Sequence, residues 1–288
     1  MLLKFLSTRA IRAFGGVAVI VAAVGSSVAL GSPAYAAPDY AVRRALPVQA
    51  GTELTFPGAH SGPFSSPDFN CTAGPVVRAT GFLSMLSPYL RAVRYVVTAG
   101  HCASSVGQHV KVGETDIGTV SWISTQSDLA LVRVEPPSTR RTQCDHTSGG
   151  FPRCGIVVTR QPGAVGRVIT GYNRAGQEAS LPVSGSGAPT PRELFCASGR
   201  STGSNCTFES VANPPRSNAQ AHTMIAESSD SNMATGDSGG PVYSRSGRIY
   251  GVLTDVGTLG RPGERLIGYV AITQFFAERS GYALVTGG

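Results

Sequence analysis

The stretch T-G-D-S-G-G-P-V, Thr235–Val242, places one serine among glycines about fifty residues before the end of the chain. Glycine accepts backbone conformations that other residues avoid, so the stretch suits a tight turn. The spacing Gly-x-Ser-x-Gly also matches turns that present a serine hydroxyl as a nucleophile. The stretch by itself leaves both interpretations open, and the choice depends on whether the chain supplies a base.

The composition is that of a globular chain with many turns. Hydrophobic residues make up 41% of the 288 residues and charged residues 14%, which excludes a disordered chain. The 36 glycines and 19 prolines separate short β-branched runs, as all-β folds require. One segment, Ile272–Arg279, has helical spacing and is followed by Gly281. The sequence predicts an all-β fold of two β-barrels or sandwiches with a short C-terminal helix.

The N-terminus has the pattern of a secretory signal peptide. Basic residues precede an apolar run from Val17 to Leu30, and Ala34-Tyr35-Ala36 forms a cleavage signal. We expect cleavage after Ala36 and an extracellular mature protein without a stable membrane anchor. An uncleaved anchor is the alternative, although the run is shorter than the about 20 residues that a spanning helix needs.

Removal of residues 1–36 lowers the formal net charge from +7 to +4. The remaining basic residues are scattered and are not interleaved with aromatic residues. We therefore expect no nucleic-acid partner.

The six cysteines all lie in the exported part of the sequence, where an even number indicates three disulfides. They are Cys71, Cys102, Cys144, Cys154, Cys196 and Cys206. A zinc site is the alternative, but no Cys-x-x-Cys pair occurs and no two histidines stand at ligand spacing near them. The calcium-loop pattern Asp-x-Asp-x-Asp-Gly is also absent, so we expect no metal and no cofactor.

The strand pattern divides the exported chain into four parts. Residues 37–70 are an N-terminal segment that leads into the first barrel, 71–137 the first barrel, 138–155 a polar, arginine-rich connector, and 156–288 the second barrel with the C-terminal helix.

Among five histidines, His101 is the candidate base. It follows the apolar run Y-V-V-T-A-G and precedes Cys102, which can hold the local backbone if it is bonded. Asp128 opens the run S-D-L-A-L-V-R-V, where a carboxylate at the mouth of a buried strand needs a partner. A turn residue is the alternative reading of Asp128.

The order of these residues separates the serine-hydrolase folds. No histidine follows Ser238, which excludes the α/β-hydrolase order. A subtilisin-like order would need Asp39 or Asp68 as the acid, and both lie in turn-rich sequence. The order His101, Asp128, Ser238 is that of chymotrypsin.

The blocks V-V-T-A-G-H-C (96–102), S-D-L-A-L-V-R-V (127–134) and T-G-D-S-G-G-P-V (235–242) resemble the three signature blocks of the chymotrypsin-like serine peptidases. C-A-S-G-R-S-T-G-S-N-C (196–206) resembles the disulfide loop of the bacterial streptogrisin and α-lytic branch. C-T-A-G (71–74) resembles the first-barrel segment whose cysteine pairs with the one after the catalytic histidine. The resemblance spans roughly residues 45–288 and implies two antiparallel β-barrels with the site in the cleft between them.

The resemblance also implies a secreted serine endopeptidase that cleaves protein or peptide substrates through an acyl-enzyme, and we expect a monomer. Ser238 would attack the scissile carbonyl, His101 would accept its proton, and Asp128 would fix the imidazole tautomer. The N–H groups of Gly236 and Ser238 would bind the oxyanion. A catalytically silent binding protein and an esterase with the same triad are the alternatives.

The disulfides Cys71–Cys102 and Cys196–Cys206 are likewise implied by the resemblance. Cys144–Cys154 then follows by elimination.

The sequence departs from the family pattern at several positions. L-S-M-L-S-P-Y-L-R-A (83–92) is an apparent insertion, and only 34 residues separate Ala36 from Cys71, although bacterial relatives commonly carry a large pro-region. Whether a pro-segment is removed, for example after Arg44, stays open. No Ile-Val-Gly-Gly terminus follows Arg43-Arg44, so Asp237 needs a different partner, for which an arginine is a candidate.

Specificity rests on the residues expected to form the primary pocket. The family resemblance implies that the residue six before the nucleophile, here Asn232, forms an uncharged floor, and that Thr254, Asp255 and Val256 form the wall. The sequence predicts a preference for small or medium uncharged side chains before the cut. An inward-pointing Asp255, or Asp230, would instead favour basic side chains.

Overall fold

Short β-branched runs between glycine- and proline-rich turns form strands along the chain. The computed structural model describes residues 40–58, 68–145, 153–173, 176–212, 221–256 and 265–287. The expected signal peptide lies outside the described residues.

Within the described ranges the strands are β1 (Val48–Ala50), β2 (Glu53–Pro57), β3 (Asp68–Thr72), β4 (Val76–Ala79), β5 (Arg94–Thr98), β6 (His109–Val112), β7 (Thr115–Ile123), β8 (Ala130–Val134), β9 (Ser138–Asp145), β10 (Arg153–Arg160), β11 (Ala164–Tyr172), β12 (Glu178–Pro182), β13 (Gly185–Ser186), β14 (Phe195–Gly199), β15 (Gly203–Val211), β16 (Thr223–Ser228), β17 (Pro241–Tyr243), β18 (Arg248–Val256), β19 (Leu266–Ala271) and β20 (Tyr282–Leu284). The α-helices are α1 (Pro88–Ala92) and α2 (Ile272–Glu278), and 3-10 turns span Tyr40–Arg44, Phe82–Met85 and Gly100–Cys102. Across the same ranges, no helix has the length and apolar character needed to cross a bilayer.

The first barrel is an eight-stranded sheet in the order β20-β4-β5-β8-β7-β6-β2-β3. Strand β3, at one edge, continues into β4, near the other edge, after residues 73–75 alone. So short a link requires the sheet to curl round on itself. Its interior is packed with fully buried apolar side chains such as Leu54, Val96 and Val132.

The second barrel is closed by hydrogen bonds. Strands β18, β17, β14, β15, β16 and β19 pair in sequence, and β19 pairs again with β18, so six strands form a complete ring. Phe195, Phe208 and Tyr269 fill its interior. A third sheet, β1-β11-β12, contains a parallel pairing of β1 with β11. The predicted all-β fold with two barrels is confirmed.

The C-terminal helix forms where its spacing predicts it, as α2. Its apolar face buries Phe275, whose ring lies 6.1 Å from Trp122 of the first barrel. The following strand β20 then pairs with β4.

The hairpin β9–β10 lies where the sequence predicted the connector and the start of the second barrel. Its strands, Ser138–Asp145 and Arg153–Arg160, pair in antiparallel register. Strands β2 and β3 begin within the expected N-terminal segment and belong to the first barrel. The described side chains of the hairpin are exposed, so β9 lacks the alternation of apolar and polar residues that identifies a strand in sequence.

The insertion at 83–92 contains a helix that sequence analysis missed. Pro88 occupies its first turn, and the Ser87 hydroxyl accepts a hydrogen bond from the Leu90 N–H. Ser-Pro is a known helix-start signal, but the helix is only five residues long.

Three disulfides are present in the described part of the chain, joining Cys71 to Cys102, Cys144 to Cys154, and Cys196 to Cys206. These are the expected pairs. Cys71–Cys102 links β3 to the turn that carries His101, and Cys144–Cys154 joins the two strands of the hairpin.

Candidate active site

The pairing of two strands in the first barrel brings His101 and Asp128 together. Strands β5 and β8 are antiparallel, with Thr98 opposite Ala130. His101 lies three residues after Thr98, and Asp128 lies two residues before Ala130. Continuing this register past the strand ends therefore places the two side chains next to each other.

Asp128 accepts two hydrogen bonds from His101. Its Oδ2 lies 2.7 Å from the ring Nδ1, and its Oδ1 accepts the backbone N–H of His101 over 2.7 Å. This close approach needs Gly100, because a Cβ at that position would lie 2.9 Å from Oδ1. Asp128 is buried, whereas the imidazole is partly exposed. A carboxylate on Nδ1 leaves Nε2 available for proton transfer.

The turn that carries Ser238 needs its glycines. Gly236 has φ +96° and Gly239 has φ +89°, a region that residues with a Cβ rarely adopt. A Cβ on Gly239 would also lie 2.1 Å from Thr98 Oγ1 and 2.2 Å from Thr72 O. Ser238 itself is buried and lines the same cleft as His101.

Thr72 of the first barrel holds this turn of the second barrel. Its N–H donates to the Ser238 carbonyl over 2.8 Å, and its hydroxyl donates to the Gly236 carbonyl over 2.8 Å. The same hydroxyl accepts the Arg200 N–H, and the Thr72 carbonyl accepts the Thr98 hydroxyl. Thr72 therefore fixes the serine turn relative to the strand that leads to His101.

Asp237 is fully buried and is held by hydrogen bonds. Its Oδ1 accepts the N–H groups of Ser201 and Thr202 at 2.6 and 3.2 Å. Its Oδ2 accepts the Thr202 hydroxyl and the Ala234 N–H at 2.7 and 2.8 Å. Asp237 is therefore held by three backbone N–H groups and one hydroxyl, and the arginine that the sequence left as a candidate partner is not among these donors.

The peptide between Thr235 and Gly236 is oriented by the same turn. The Ser201 hydroxyl donates to the Thr235 carbonyl over 2.8 Å. In a trans peptide the N–H points away from the C=O, so the Gly236 N–H is directed away from Ser201. Gly236 and Ser238 both line the cleft.

The cleft has a volume of about 270 Å³. Its lining comprises Phe69, His101, Asp128, Thr223, Thr235, Gly236, Ser238, Thr254, Asp255 and Val256. Three of the four residues expected in the specificity pocket, Thr254, Asp255 and Val256, belong to this set. Asn232 does not, and its Oδ1 accepts the N–H of Met233.

A carboxylate on α2 supports the loop that leads to Asp128. Glu278 accepts the hydroxyls of Ser124 and Ser127 and the side-chain amide of Gln274. Partial burial raises the pKa of Glu278, but these hydrogen bonds, together with the charge of His222, lower it, so the net pKa lies below its usual range. The last residues before Asp128 are thereby tied to the C-terminal helix.

Sequence analysis did not identify Thr72, Thr202 or Thr223 as site residues. Thr72 had a signal, because it follows Cys71 in the C-T-A-G block. Thr202 lies inside the 196–206 block, but its bond to Asp237 joins residues that are 35 positions apart. Thr223 begins β16 and has no local pattern that separates it from other strand threonines.

Cys71, His101 and Cys102 bring together atoms that are common metal ligands. The two sulfur atoms are joined in a disulfide, so they are not available as thiolates. This group therefore carries no metal chemistry.

The chain is similar to known serine proteases in sequence pattern and in fold. The Trypsin family model matches residues 89–277, about two thirds of the chain, and no curated protein matches. A glutamic acid specific serine protease that uses a histidine triad in substrate binding has 18% identity and a TM-score of 0.52, over 82% of this chain and 100% of that one.

Two further solved structures are similar. Nocardiopsis protease (NAPase) has 21% identity and a TM-score of 0.48, over 76% of this chain and 94% of that one. Cellulomonas bogoriensis chymotrypsin has 19% identity and a TM-score of 0.45, over 75% and 91%. At these identities the likeness concerns the fold. The family model, in contrast, spans β5–β8 of the first barrel, the six-stranded ring of the second barrel and all three sequence blocks, and the chain therefore belongs to the trypsin family and is a serine endopeptidase.

Proposed function

We propose that His101, Asp128 and Ser238 are the catalytic triad of this endopeptidase. The observation that carries the proposal is the pair of 2.7 Å hydrogen bonds from His101 to buried Asp128, in a cleft that Ser238 also lines. A buried carboxylate on Nδ1 holds the imidazole in the tautomer whose Nε2 can accept a proton.

Each step then follows from these groups. Ser238 Oγ forms a bond to the scissile carbonyl carbon while His101 Nε2 takes its proton. The imidazolium, stabilised by Asp128, gives that proton to the departing amine as the C–N bond breaks. Water attacks the resulting ester with His101 again as base, and the free acid leaves as Ser238 regains its proton.

The N–H groups of Gly236 and Ser238 are the proposed oxyanion donors. The bond from Ser201 to the Thr235 carbonyl directs the Gly236 N–H away from Ser201. The bond from Thr72 to the Gly236 carbonyl fixes the next peptide. Donors that are held before reaction stabilise the developing charge without reorganisation, and losing one costs about 2.7–4 kcal/mol in subtilisin.

An organophosphorus serine-hydrolase probe tests the triad. We expect adduct formation on Ser238, and loss of both adduct and peptidase activity in Ser238→Ala. His101→Ala should lose activity by a similar factor, because members of a triad act as a unit. Ser246→Ala, a change in the turn between β17 and β18, is the control and should keep full activity. An adduct on another serine, or an active Ser238→Ala, would contradict the proposal.

We further propose a preference for small or medium uncharged side chains before the scissile bond. The buried cleft residues Thr223 and Thr254 offer hydroxyl groups, and Val256 narrows the space beside them. A substrate cation placed against hydroxyls alone would not recover its desolvation cost. Asp255 is the rival determinant, since it lines the same cleft.

A panel of fluorogenic peptides that differ at one position decides between these preferences. Fastest turnover on alanine or valine is expected, with little change in Asp255→Asn. Fastest turnover on arginine or lysine that disappears in Asp255→Asn would show that the carboxylate decides specificity. Asp230→Asn tests the second rival carboxylate in the same way, and a preference for basic side chains that disappears only in that variant would assign specificity to Asp230.

Export is the last part of the proposal, with a signal peptide cleaved after Ala36 and a monomeric mature enzyme. The three disulfides support it, because such bonds persist in oxidising compartments. Terminal sequencing of the chain from culture medium and its sedimentation mass test both statements. A chain that stays in the cell with its leader, or sediments as a dimer, would contradict them.

A further inference from the structure

The insertion that precedes β5 carries an exposed apolar turn. Phe82 is 78% exposed and Leu83 71%, and Met85 and Leu86 are exposed beside them. The 3-10 turn Phe82–Met85 has no buried residue. Large apolar side chains in such density on a surface turn indicate a binding surface.

The hairpin β9–β10 extends this surface. Every side chain of β10 is exposed, including Ile156, Val157 and Val158. The hairpin meets the insertion where the Arg160 guanidinium lies 4.8 Å from the centroid of the Tyr89 ring. Seven of the twelve exposed large hydrophobic side chains in the described part of the chain lie on these two elements.

The surface is also strongly cationic. Between Phe69 and Gly113 the sequence contains no acidic residue. The arginines on or beside the two elements are Arg78, Arg91, Arg94, Arg140, Arg141, Arg153 and Arg160. The neighbouring acid Glu135 is paired with Arg133 and Tyr89, and Asp145 ends β9. The balance of charge therefore favours an anionic partner.

A groove of about 490 Å³ combines both properties. It lies between the insertion and β4–β5, and its lining includes the apolar residues Leu83, Met85 and Leu90 together with the arginines Arg78 and Arg94. None of its lining residues belongs to the candidate active-site cleft.

We infer that this surface, formed by residues 78–94 and the hairpin β9–β10, binds the anionic phospholipids of a membrane reversibly. Arginines near an anionic bilayer contribute electrostatic attraction, and protruding apolar side chains enter the boundary between headgroups and acyl chains. An acidic polypeptide would pair with the arginines but would not bury the apolar side chains of Phe82 and Leu83, which protrude from an open turn. Because the cleft shares no residue with the surface, bound enzyme keeps its cleft lining free for substrate.

Sedimentation with lipid vesicles tests the inference. The full chain is purified in the form in which the producing cell releases it. It is mixed either with vesicles of equal parts phosphatidylglycerol and phosphatidylcholine, or with vesicles of phosphatidylcholine alone. We expect binding to the anionic vesicles and at least about tenfold weaker partition into the neutral ones. All variants share one N-terminus, so differences between them report on the surface.

Two double variants separate the contributions. Arg78→Gln/Arg91→Gln should lower the partition coefficient about 25-fold, at about fivefold for each arginine. Phe82→Ser/Leu83→Ser should lower it at least about tenfold. The controls Val106→Ser and Arg192→Gln remove an exposed valine and an exposed arginine elsewhere, and should bind like the parent. All the substituted residues are exposed, so the melting temperature should stay unchanged and show that each variant is folded.

Three results would overturn the inference: equal partition into neutral vesicles, double variants that bind like the parent, or retention on immobilised polyglutamate without vesicle binding. The last result would assign the surface to an acidic polypeptide.

Discussion

Replacing Arg43 with alanine should destabilise this protein far more than replacing its neighbour Arg44. The Arg43 side chain is fully buried. Its Nε donates to Glu178 Oε1 over 2.7 Å, and its two terminal nitrogens donate to the Gly51 carbonyl at 2.9 Å and the Ser198 hydroxyl at 3.1 Å. Alanine would leave the Glu178 carboxylate buried without its cation.

The magnitude follows from that uncompensated charge. Breaking a buried ion pair by removing one partner costs about 3–5 kcal/mol. Glu178 already has one carboxylate oxygen, Oε2, without a hydrogen-bond partner in the described structure, so little else can compensate it. A loss of this size is a large fraction of the about 5–15 kcal/mol that stabilises a typical protein, and it should lower the melting temperature by roughly 10 °C.

Thermal and urea unfolding at pH 7, measured in a Ser238→Ala background to prevent self-digestion, provides the assay. Arg44→Ala is the matched control: its side chain is 62% exposed, and its largely buried partner Glu53 keeps a second cation in Arg200 at 3.4 Å, so the change should cost less than about 1 kcal/mol. The double variant Arg43→Met/Glu178→Met should regain most of the loss, because it removes both charges together.

The reasoning fails if Arg43→Ala is no less stable than Arg44→Ala, or if the double variant is less stable than either single variant. It also requires that Arg43 stay in the mature chain. Removal of the chain up to Arg44 would take away the partner of Glu178, so an active enzyme that begins at Ala45 would equally contradict it.

Three further predictions concern the serine turn and its supports. Thr202→Val removes a hydroxyl that donates a hydrogen bond to buried Asp237. The variant should lower the free energy of unfolding by about 1.5–3 kcal/mol and slow turnover. Unchanged urea unfolding and an unchanged peptidase rate would refute this prediction. Gly239→Ala should lower the free energy of unfolding by at least about 2 kcal/mol more than Gly107→Ala does. Both glycines have φ near +90°, but only a Cβ on Gly239 would clash with neighbouring atoms. Equal losses of stability in the two variants would contradict the clash. Glu278→Gln should destabilise the protein at neutral pH. Because the pKa of Glu278 is lowered in the folded state, its carboxylate contributes stability above the ordinary pKa of 4.5, and this contribution is lost as the carboxylate is protonated. The difference in stability between variant and parent should therefore shrink below about pH 4.5, and a difference that is constant between pH 3 and 7 would refute the assignment.

The sequence alone determined the fold class and the three candidate catalytic residues. Each lies in a block with strict local requirements. Ser238 needs flanking glycines whose backbone adopts the left-handed region, His101 follows the end of a strand, and Asp128 precedes a buried strand. These requirements act within a few residues, so they are visible in the order of amino acids. The order of the blocks along the chain then distinguished one serine-hydrolase fold from the others.

Only the tertiary structure decided what surrounds those residues. Three of the four hydrogen bonds to the Asp237 carboxylate come from Ser201 and Thr202, where the sequence left an arginine as a candidate partner, and Asn232 lies outside the cleft that it was expected to line. Strand β9 of the exposed hairpin likewise lies in the stretch that the sequence indicated as a connector. Hydrogen-bond partners that are 35 or more residues apart are brought together by strand register and barrel closure. Hydrophobic periodicity within one segment does not predict such contacts.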